Sequence, residues 1–414
     1  MRRIVSISLI FWGLSIAASA EDNPPGADQT RFPRSPFFDA RSRQTYYAGP
    51  GRENRPASDV KEVAIGYFGP SNASHPEGGD MWNAACLAIE EANGAGGYKG
   101  LPLRFVAGWA ENPWGSGVTQ MTRMVYVHNV WAIVGGIDGP STHLAEQVVA
   151  KARLTLLSPV STDRTANCAN VPWMFSCLPQ DHLQAPVLAE AIATEAGARP
   201  FVLVSAVDHD SHLFTVELTR HLVEYRLAPV YHYEFDPRKA DTIELANRIA
   251  EAHADVLVLV AGAQPSAHLV RAVREECFAG RIFGGPCMGR RSFIKEAGNA
   301  ADGVVFPLLY SSSAALKSFE GKFIWRFGQP PDYLAAHTYD AVNLLIAAIR
   351  KAGLNRPRIC DAVRDLSAWR GVTGSIQWDP LGSNCRRVAL GTIRNGHVEP
   401  VPEVDCTCSL GSGF

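Results

Sequence analysis

The sequence predicts an α/β protein built from two doubly wound parallel-sheet lobes. Short apolar segments of strand length alternate with segments of helix length from residue 60 onward, which indicates parallel sheets with helices on both faces. The alternation is interrupted around residues 158–184 and then resumes, so we expect a second sheet with its own core. Roughly 390 residues follow the N-terminal segment, enough for two domains of about 100–200 residues each.

The first twenty residues have the pattern of a cleaved export signal. Arg2 and Arg3 give a positive start, residues 4–16 are apolar, and residues 18–20 (Ala-Ser-Ala) form a small-x-small cleavage site. This apolar run is shorter than the roughly 20 residues of a membrane-spanning helix, and no later run approaches that length. We therefore expect a signal peptide at 1–20 and a periplasmic mature protein without stable membrane insertion.

Composition and motifs argue against several functions. The chain is 46% hydrophobic and 19% charged, with a formal net charge of −2, so its global charge favours neither nucleic acid nor an anionic membrane. It has no Gly-x-Ser-x-Gly elbow, no HExxH, no P-loop and no GxGxxG after a strand. We expect no enzymatic activity, no cofactor and no nucleic-acid partner.

The individual elements follow from hydrophobic periodicity and from glycine and proline stops. In the first half, the pattern predicts strands at 63–68, 103–107, 131–135 and 154–157, and helices at 81–93, 116–128 and 143–151. In the second half, it predicts strands at 201–205, 230–233, 256–260 and 282–283, and helices at 184–196, 212–225, 243–253 and 267–278. Doubly wound sheets bind ligands beyond the carboxyl ends of their strands, so the loops at 69–72, 135–142 and 158–165 are candidate cleft loops.

Ten separated segments, in this order, make the chain resemble a known family. They are residues 65–69, 79–80, 88–100 (AIEEANGAGGYKG), 130–142 (VWAIVGGIDGPST), 155–162 (TLLSPVST), 174–181 (MFSCLPQD), 254–260, 268–278, 339–341 and 371–379 (GVTGSIQWD). The chain resembles the type I periplasmic binding proteins, in the leucine/isoleucine/valine-binding branch that serves branched-chain amino-acid ABC transporters. The resemblance covers about residues 60–400.

The resemblance implies a hinge of three chain crossings between the lobes. The expected organisation is a signal peptide at 1–20, a flexible Pro/Gly-rich leader at 21–58, lobe 1 at 59–178 plus 307–353, lobe 2 at 179–306 plus 354–403, and a tail at 404–414. A small solute would be captured between the lobes and delivered to an ABC transporter permease. The alternative is a ligand-sensing receptor of the same fold that acts with a signalling partner.

The resemblance also implies ligand-binding residues in lobe 1. The loop that opens the helix after the third strand corresponds to Asp138, Gly139, Ser141 and Thr142, where main-chain N–H groups and hydroxyls would hold a carboxylate. Ser141 or Thr142 could instead cap its own helix, and Asp138 departs from the family because it would repel an anion. The next loop would offer the Val160 carbonyl and the Thr162 hydroxyl, or be a simple turn.

Lobe 2 lacks the acidic residue with which the family pairs the ligand's ammonium group. The expected Gly-Pro-Glu-like turn reads Gly-Pro-Cys at 285–287, so Cys287 stands in place of the acid, and Asp208 or Asp210 could supply the missing charge. Tyr310, Trp109 and Trp114 are candidates for packing the ligand's apolar part, or ordinary core or surface aromatics. Arg290 and Arg291 could clamp a second carboxylate or be a solvated pair. The pocket should suit an amino acid, an amide or an organic acid.

All nine cysteines follow the export signal, where an oxidising compartment permits disulfides. The candidate pairs are Cys168/Cys177, Cys277/Cys287 and Cys360/Cys385, and the odd count leaves at least one thiol over. No set of cysteines and histidines has metal-site spacing, so no metal site is expected.

Overall fold

Two β-sheets, each with its own hydrophobic core, organise the protein. The computed structural model describes residues 47, 49–55, 57–197 and 199–402. A five-stranded sheet has the order β2-β1-β3-β4-β5, and a seven-stranded sheet has the order β14-β13-β10-β9-β8-β6-β7. We call the body around the first sheet lobe 1 and the body around the second sheet lobe 2. The predicted α/β class with two parallel sheets is confirmed.

The sheet of lobe 1 is parallel throughout. Its strands are β1 (Val63–Phe68), β2 (Leu103–Gly108), β3 (Ile133–Gly135), β4 (Leu156–Ser158) and β5 (Met174–Ser176). Every residue of β1 is buried, as expected for a central parallel strand that is covered on both faces. Sequence periodicity did not predict β5, which has only three residues.

The helices of lobe 1 cover this sheet and share its core. They are α1 (Gly79–Gly94), α2 (Val118–Tyr126), α3 (Gly139–Ala152), α9 (Ala314–Phe327), α10 (Tyr333–Ala352) and α11 (Arg356–Asp365). One π-helical turn, Pro113–Gly117, leads into α2. The first three helices lie where periodicity predicts them, but α3 begins four residues earlier because Asp138 and Pro140 start it.

The sheet of lobe 2 is parallel from β7 to β10 and continues with two antiparallel strands. Its strands are β6 (Phe201–Ala206), β7 (Tyr231–Phe235), β8 (Val256–Val260), β9 (Arg281–Gly284), β10 (Val305–Leu308), β13 (Ala389–Arg394) and β14 (His397–Pro400). Its helices are α4 (Asp181–Ala196), α5 (His209–Glu224), α6 (Thr242–Glu251), α7 (Ala263–Glu275) and α8 (Arg291–Ala297). A 3-10 turn, Pro286–Gly289, joins β9 to α8.

The chain crosses between the lobes three times. It passes from β5 to α4, from β10 to α9, and from the small β11–β12 hairpin (Trp369–Gly371 and Gly374–Ile376) to β13. A bridge between Ser176 and Ser383 pairs the first crossing with the third. Three separate connections permit hinge opening and closing while restricting twist between the lobes.

Two predicted boundaries need correction. Tyr47 and Arg52 lie in the predicted flexible leader but are anchored on lobe 1, because Tyr47 packs on Trp173 with ring centroids 4.7 Å apart and Arg52 forms an ion pair of 2.6 Å with Asp361. Helix α11, assigned to lobe 2, packs in the core of lobe 1 through Ile359 and its neighbours. The predicted signal peptide and the tail at 404–414 lie outside the described residues.

The three predicted disulfide pairs are wrong, because in each pair at least one thiol is free. Cys177 is fully buried at the end of β5, where burial raises the pKa of its thiol, and Cys168 lies on the surface. The Cys360 Sγ donates to the carbonyl of Pro172 at 3.0 Å. Cys277, Cys287 and Cys385 are also free thiols. Among the described residues, no helix is long and apolar enough to cross a membrane.

Candidate functional site

The two lobes meet where helices α3 and α5 begin. The main-chain N–H of Gly139, in lobe 1, donates to both carboxylate oxygens of Asp210, in lobe 2, at 3.1 and 3.0 Å. The approach is close, since a Cβ placed on Gly139 would lie 2.4 Å from Asp210 Oδ1. A side chain of lobe 2 therefore occupies the anion position that the N-terminus of α3 offers.

The start of α3 is built by a reciprocal cap. Asp138 accepts the N–H of Ser141 at 2.8 Å, and the Ser141 hydroxyl returns a contact to Asp138 and accepts the N–H of Ile137 at 3.0 Å. Ser141 therefore serves as a helix cap, the alternative that the sequence left open. The Thr142 hydroxyl lies 3.2 Å from the Ser158 hydroxyl, and both are buried.

The first turn of α5 presents Asp210 to lobe 1. Asp208 caps this helix by accepting the N–H of Ser211 at 3.0 Å, which turns the following residues toward Gly139. Burial, together with the charges of Asp138 and Asp163, raises the pKa of Asp210 to about 7, although the Gly139 N–H opposes this. The carboxylates that converge here repel one another unless a cation joins them.

A second contact between the lobes is a histidine–aspartate–histidine cluster. The Nε2 atoms of His143 on α3 and His209 on α5 lie 2.8 and 2.9 Å from the same oxygen, Asp163 Oδ2. The hydrogen bonds to Asp163 and Glu146 raise the pKa of His143 to about 10. Burial would raise the pKa of Asp163, but hydrogen bonds from the two imidazoles and from a threonine lower it well below its usual range.

The start of α4 places a buried carboxylate beside the loop after β4, at the edge of this interface. The Asp181 N–H donates to the carbonyl of Thr162 at 2.8 Å, and the Asp181 side chain is fully buried. Burial raises its pKa well above the usual value, and the Thr162 hydroxyl counteracts this. Among the residues that the structure describes, no donor reaches hydrogen-bonding geometry at either carboxylate oxygen. Val160, also predicted, packs in a small apolar cluster with Leu178 and Leu309.

Arg290 and Arg291 bind the protein's own carboxylates across the lobes. Arg290, 4% exposed, forms ion pairs with Glu77 at 2.7 Å and with Asp332 at 2.5 Å. Burial lowers the pKa of Arg290, but these two carboxylates outweigh it and raise the pKa. Arg291 pairs with Asp80 at 2.8 Å. Both arginines therefore form ion pairs between the lobes, and neither is available to bind a ligand carboxylate as the sequence suggested.

The remaining predicted residues lie apart from one another. Cys287 lies close enough to Asp208 and Asp210 for their charges to act on it, and burial in particular raises the pKa of its thiol to about 12. Tyr310 lines a different pocket of about 230 Å³, beside Asp332. The structure thus brings Asp138, Gly139, Asp208 and Asp210 together and leaves Tyr310 elsewhere.

Sequence reasoning missed the residues that complete the interface. His143, Asp163 and His209 come from three separated segments, so no spacing rule connects them. Asp163 lies in a loop that the fold class already marked as a cleft loop, and this is the one signal that could have found it. Asp181 begins the helix that follows the first crossing, a position that becomes visible only when β5 is recognised.

Comparison with known proteins agrees with this architecture. The family model for periplasmic binding proteins matches residues 62–396. An amino acid binding protein from Pseudomonas aeruginosa is 24% identical over 337 residues, 78% of this chain and 87% of that protein.

Two solved structures show the same fold. The branched-chain amino acid transporter substrate binding protein LivJ from Streptococcus pneumoniae, in complex with isoleucine, has a TM-score of 0.75 at 21% identity and covers 82% of this chain and 99% of that chain. A solute binding protein of an ABC transporter from Rhodopseudomonas palustris, in complex with 3,4-dihydroxybenzoic acid, has a TM-score of 0.74 at 16% identity, covering 82% of this chain and 95% of that one.

The protein has two lobes, each with its own hydrophobic core, and a hinge of three crossings joins them. With polar surfaces that face each other across the lobes, this is the architecture of a two-lobed solute-binding protein. The chain belongs to the periplasmic binding protein family, whose model spans most of the described residues. The resemblance recognised in the sequence is confirmed. The family consists of extracytoplasmic proteins that bind small ligands and work with transporters.

Proposed function

We propose that this protein is the substrate-binding component of an ABC importer and that its solute is an amino acid bound as a zwitterion. The description of the Pseudomonas aeruginosa relative as an amino acid binding protein supports this ligand class. The mature protein would be periplasmic after removal of residues 1–20. It would hand its solute to a membrane permease and perform no chemistry on it.

The contact between Gly139 and Asp210 carries the proposal. The N-terminus of α3 offers a main-chain donor to a carboxylate, and a protein carboxylate fills that position in the closed arrangement. A ligand carboxylate that enters the cleft would displace Asp210 from Gly139. The released Asp210 would then face the ligand's ammonium, so both charged groups of an amino acid would find partners.

The electrostatics of the surrounding residues fit a ligand that brings positive charge. The charges of Asp138 and Asp163 raise the pKa of Asp210, and those of Asp210 and Asp163 raise the pKa of Asp181. The nearby cations are already paired, His143 with Asp163 at 2.8 Å and Arg164 with Glu217 at 2.5 Å. A ligand carboxylate alone would add to this repulsion, whereas an ammonium reduces it. Thr162 and Asp181, at the edge of the first crossing, are the further residues that we assign to the cleft.

Isothermal titration calorimetry with three ligand types tests the proposal. A thermal-shift screen of the amino acids first finds the best ligand, since a ligand at 100 times its Kd stabilises a protein by about 2.7 kcal/mol. Its decarboxylated amine and its deaminated acid are then titrated beside it. We expect the amino acid to bind at least tenfold more tightly than either, and mass spectrometry to recover it unchanged.

The variant Asp210→Asn separates the two charge contacts. It should weaken binding of the amino acid at least tenfold and leave the deaminated acid unaffected or improved, because the competing carboxylate has been neutralised. Glu234→Gln, an exposed substitution on β7, is the matched control and should change neither. Equal loss for all three ligands, or none for the amino acid, would contradict the assigned role of Asp210.

A further inference from the structure

His143, Asp163 and His209 form a convergent set of metal-ligand atoms drawn from both lobes. His143 lies on α3 and Asp163 in the loop after β4, both in lobe 1, whereas His209 begins α5 in lobe 2. One ligand atom from each residue lies within 4.8 Å of the others. The Asp163 side chain is fully buried, and both imidazoles direct Nε2 at its Oδ2 atom.

The surrounding hydrogen bonds orient these side chains as they do in protein metal sites. Glu146 Oε2 lies 3.5 Å from His143 Nδ1 and would hold a proton there, while the Nε2 proton that faces Asp163 would be released when a metal binds. The Thr165 N–H and hydroxyl donate to Asp163 Oδ1 at 2.7 and 2.6 Å. That oxygen is thereby occupied, and Oδ2 remains the coordinating atom.

Ligand type and spacing favour a borderline divalent cation. Two imidazoles and one carboxylate are a donor set that Zn²⁺ accepts, with a fourth position open to water or solute. Zinc bonds of about 2.0–2.2 Å in tetrahedral geometry place ligand atoms about 3.3 Å apart. The contacts of 2.8 and 2.9 Å need to open by only about 0.5 Å to reach this spacing.

We propose that a divalent cation of the Zn²⁺ type binds His143, Asp163 and His209 and holds the two lobes together. Only the closed arrangement brings the third ligand, His209, to the pair in lobe 1, so the cation binds that state more tightly and shifts the population toward it. The three ligands all come from the protein, so the cation can favour closure before any solute binds. The population of the closed state would then rise with the concentration of the metal.

Metal titrations of the full chain without solute test this site. Zn²⁺ binding is measured by calorimetry and Co²⁺ binding by visible absorption, in the parent protein and in His143→Ala, His209→Ala and Glu146→Gln. We expect one site per chain, at least 100-fold weaker binding in either histidine variant, and about 10- to 100-fold weaker binding in Glu146→Gln because its role is to orient His143. Small-angle scattering should show Zn²⁺ compacting the parent protein and not His209→Ala.

His212→Ala is the matched control, because His212 is exposed on the same helix as His209. It should bind Zn²⁺ as the parent does. Thiolate-to-cobalt charge-transfer bands would reveal coordination by cysteines instead and would overturn the proposal. Unchanged affinity in His209→Ala would overturn it as well, since the site would then lie within one lobe. Absence of saturable binding would have the same consequence.

Discussion

Gly139→Ala should hold the lobes apart without unfolding either of them. The new Cβ would lie 2.4 Å from Asp210 Oδ1 and 2.9 Å from Asp163 Oδ2. Asp163 cannot move away easily, because it is buried and held by two imidazoles. Ordinary contact begins at 3.4 Å, so the start of α5 would have to retreat by about 1 Å, the difference between 3.4 and 2.4 Å.

The energetic cost follows from the hydrogen bond that this retreat breaks. A hydrogen bond to a charged group contributes about 1.5–3 kcal/mol. Asp210 keeps some exposure to solvent, which places this hydrogen bond in the lower part of that range, about 1.5–2 kcal/mol. The equilibrium between closed and open forms should therefore shift toward the open form by about 10- to 30-fold.

Small-angle X-ray scattering of the solute-free protein measures the opening. Calorimetry should also show weaker solute binding, because a ligand carboxylate that takes the place of Asp210 on the Gly139 N–H would meet the same Cβ. Gly321→Ala is the control, because a Cβ on this glycine of α9 meets nothing within 4 Å. Both variants should melt within a few degrees of the parent. If Gly139→Ala scatters and binds like the parent, the contact between α3 and α5 does not govern closure.

Three further predictions concern the body of the protein. Burial lowers the pKa of His337 to about 3, so its protonation opposes folding below the unfolded value of 6.5, and the contribution of this residue to the free energy of unfolding should fall by about 2 kcal/mol between pH 8 and pH 5. Urea unfolding should therefore show that the free energy of unfolding of the parent falls by this amount relative to that of His337→Gln, and a pH-independent difference would refute this. Arg290→Met should cost about 3–5 kcal/mol because Asp332 stays buried without its partner, whereas Arg238→Met on the surface should cost less than about 1 kcal/mol. Alkylation of the unfolded, unreduced protein should label Cys177 and Cys360, and labelling only after reduction would restore the disulfide interpretation.

Periodicity predicted the fold well because long buried strands carry strong signals. The ranges of β1 and β8 coincide with the predicted ones, since each is a continuous apolar run covered on both faces. Helix starts were predicted too late because α3, α4 and α5 begin with polar or small residues. Polar and small residues in the first turn of a helix do not add to its apolar repeat, so periodicity places the start of the helix too late.

The sequence predicted site residues within each lobe, but it did not predict which residues of the two lobes contact each other. Motif resemblance found the start of α3, and a missing family acid directed attention to Asp210. Which side chain faces Gly139 depends on how the lobes close, and a linear pattern carries no information about that. The cysteine pairs failed for a similar reason, because their nearness in sequence did not reflect that Cys177 lies in the core and Cys168 on the surface.

The two proposals together require that metal and solute bind cooperatively. Both would favour the closed state, so each should raise the other's affinity, and thermodynamic linkage makes the two factors equal. Solute affinity measured with and without saturating Zn²⁺ gives one factor, and Zn²⁺ affinity measured with and without solute gives the other. In His209→Ala, Zn²⁺ should no longer change solute affinity. If Zn²⁺ binds the parent protein tightly but does not change its solute affinity, then Zn²⁺ binding at His143, Asp163 and His209 is not coupled to closure of the lobes.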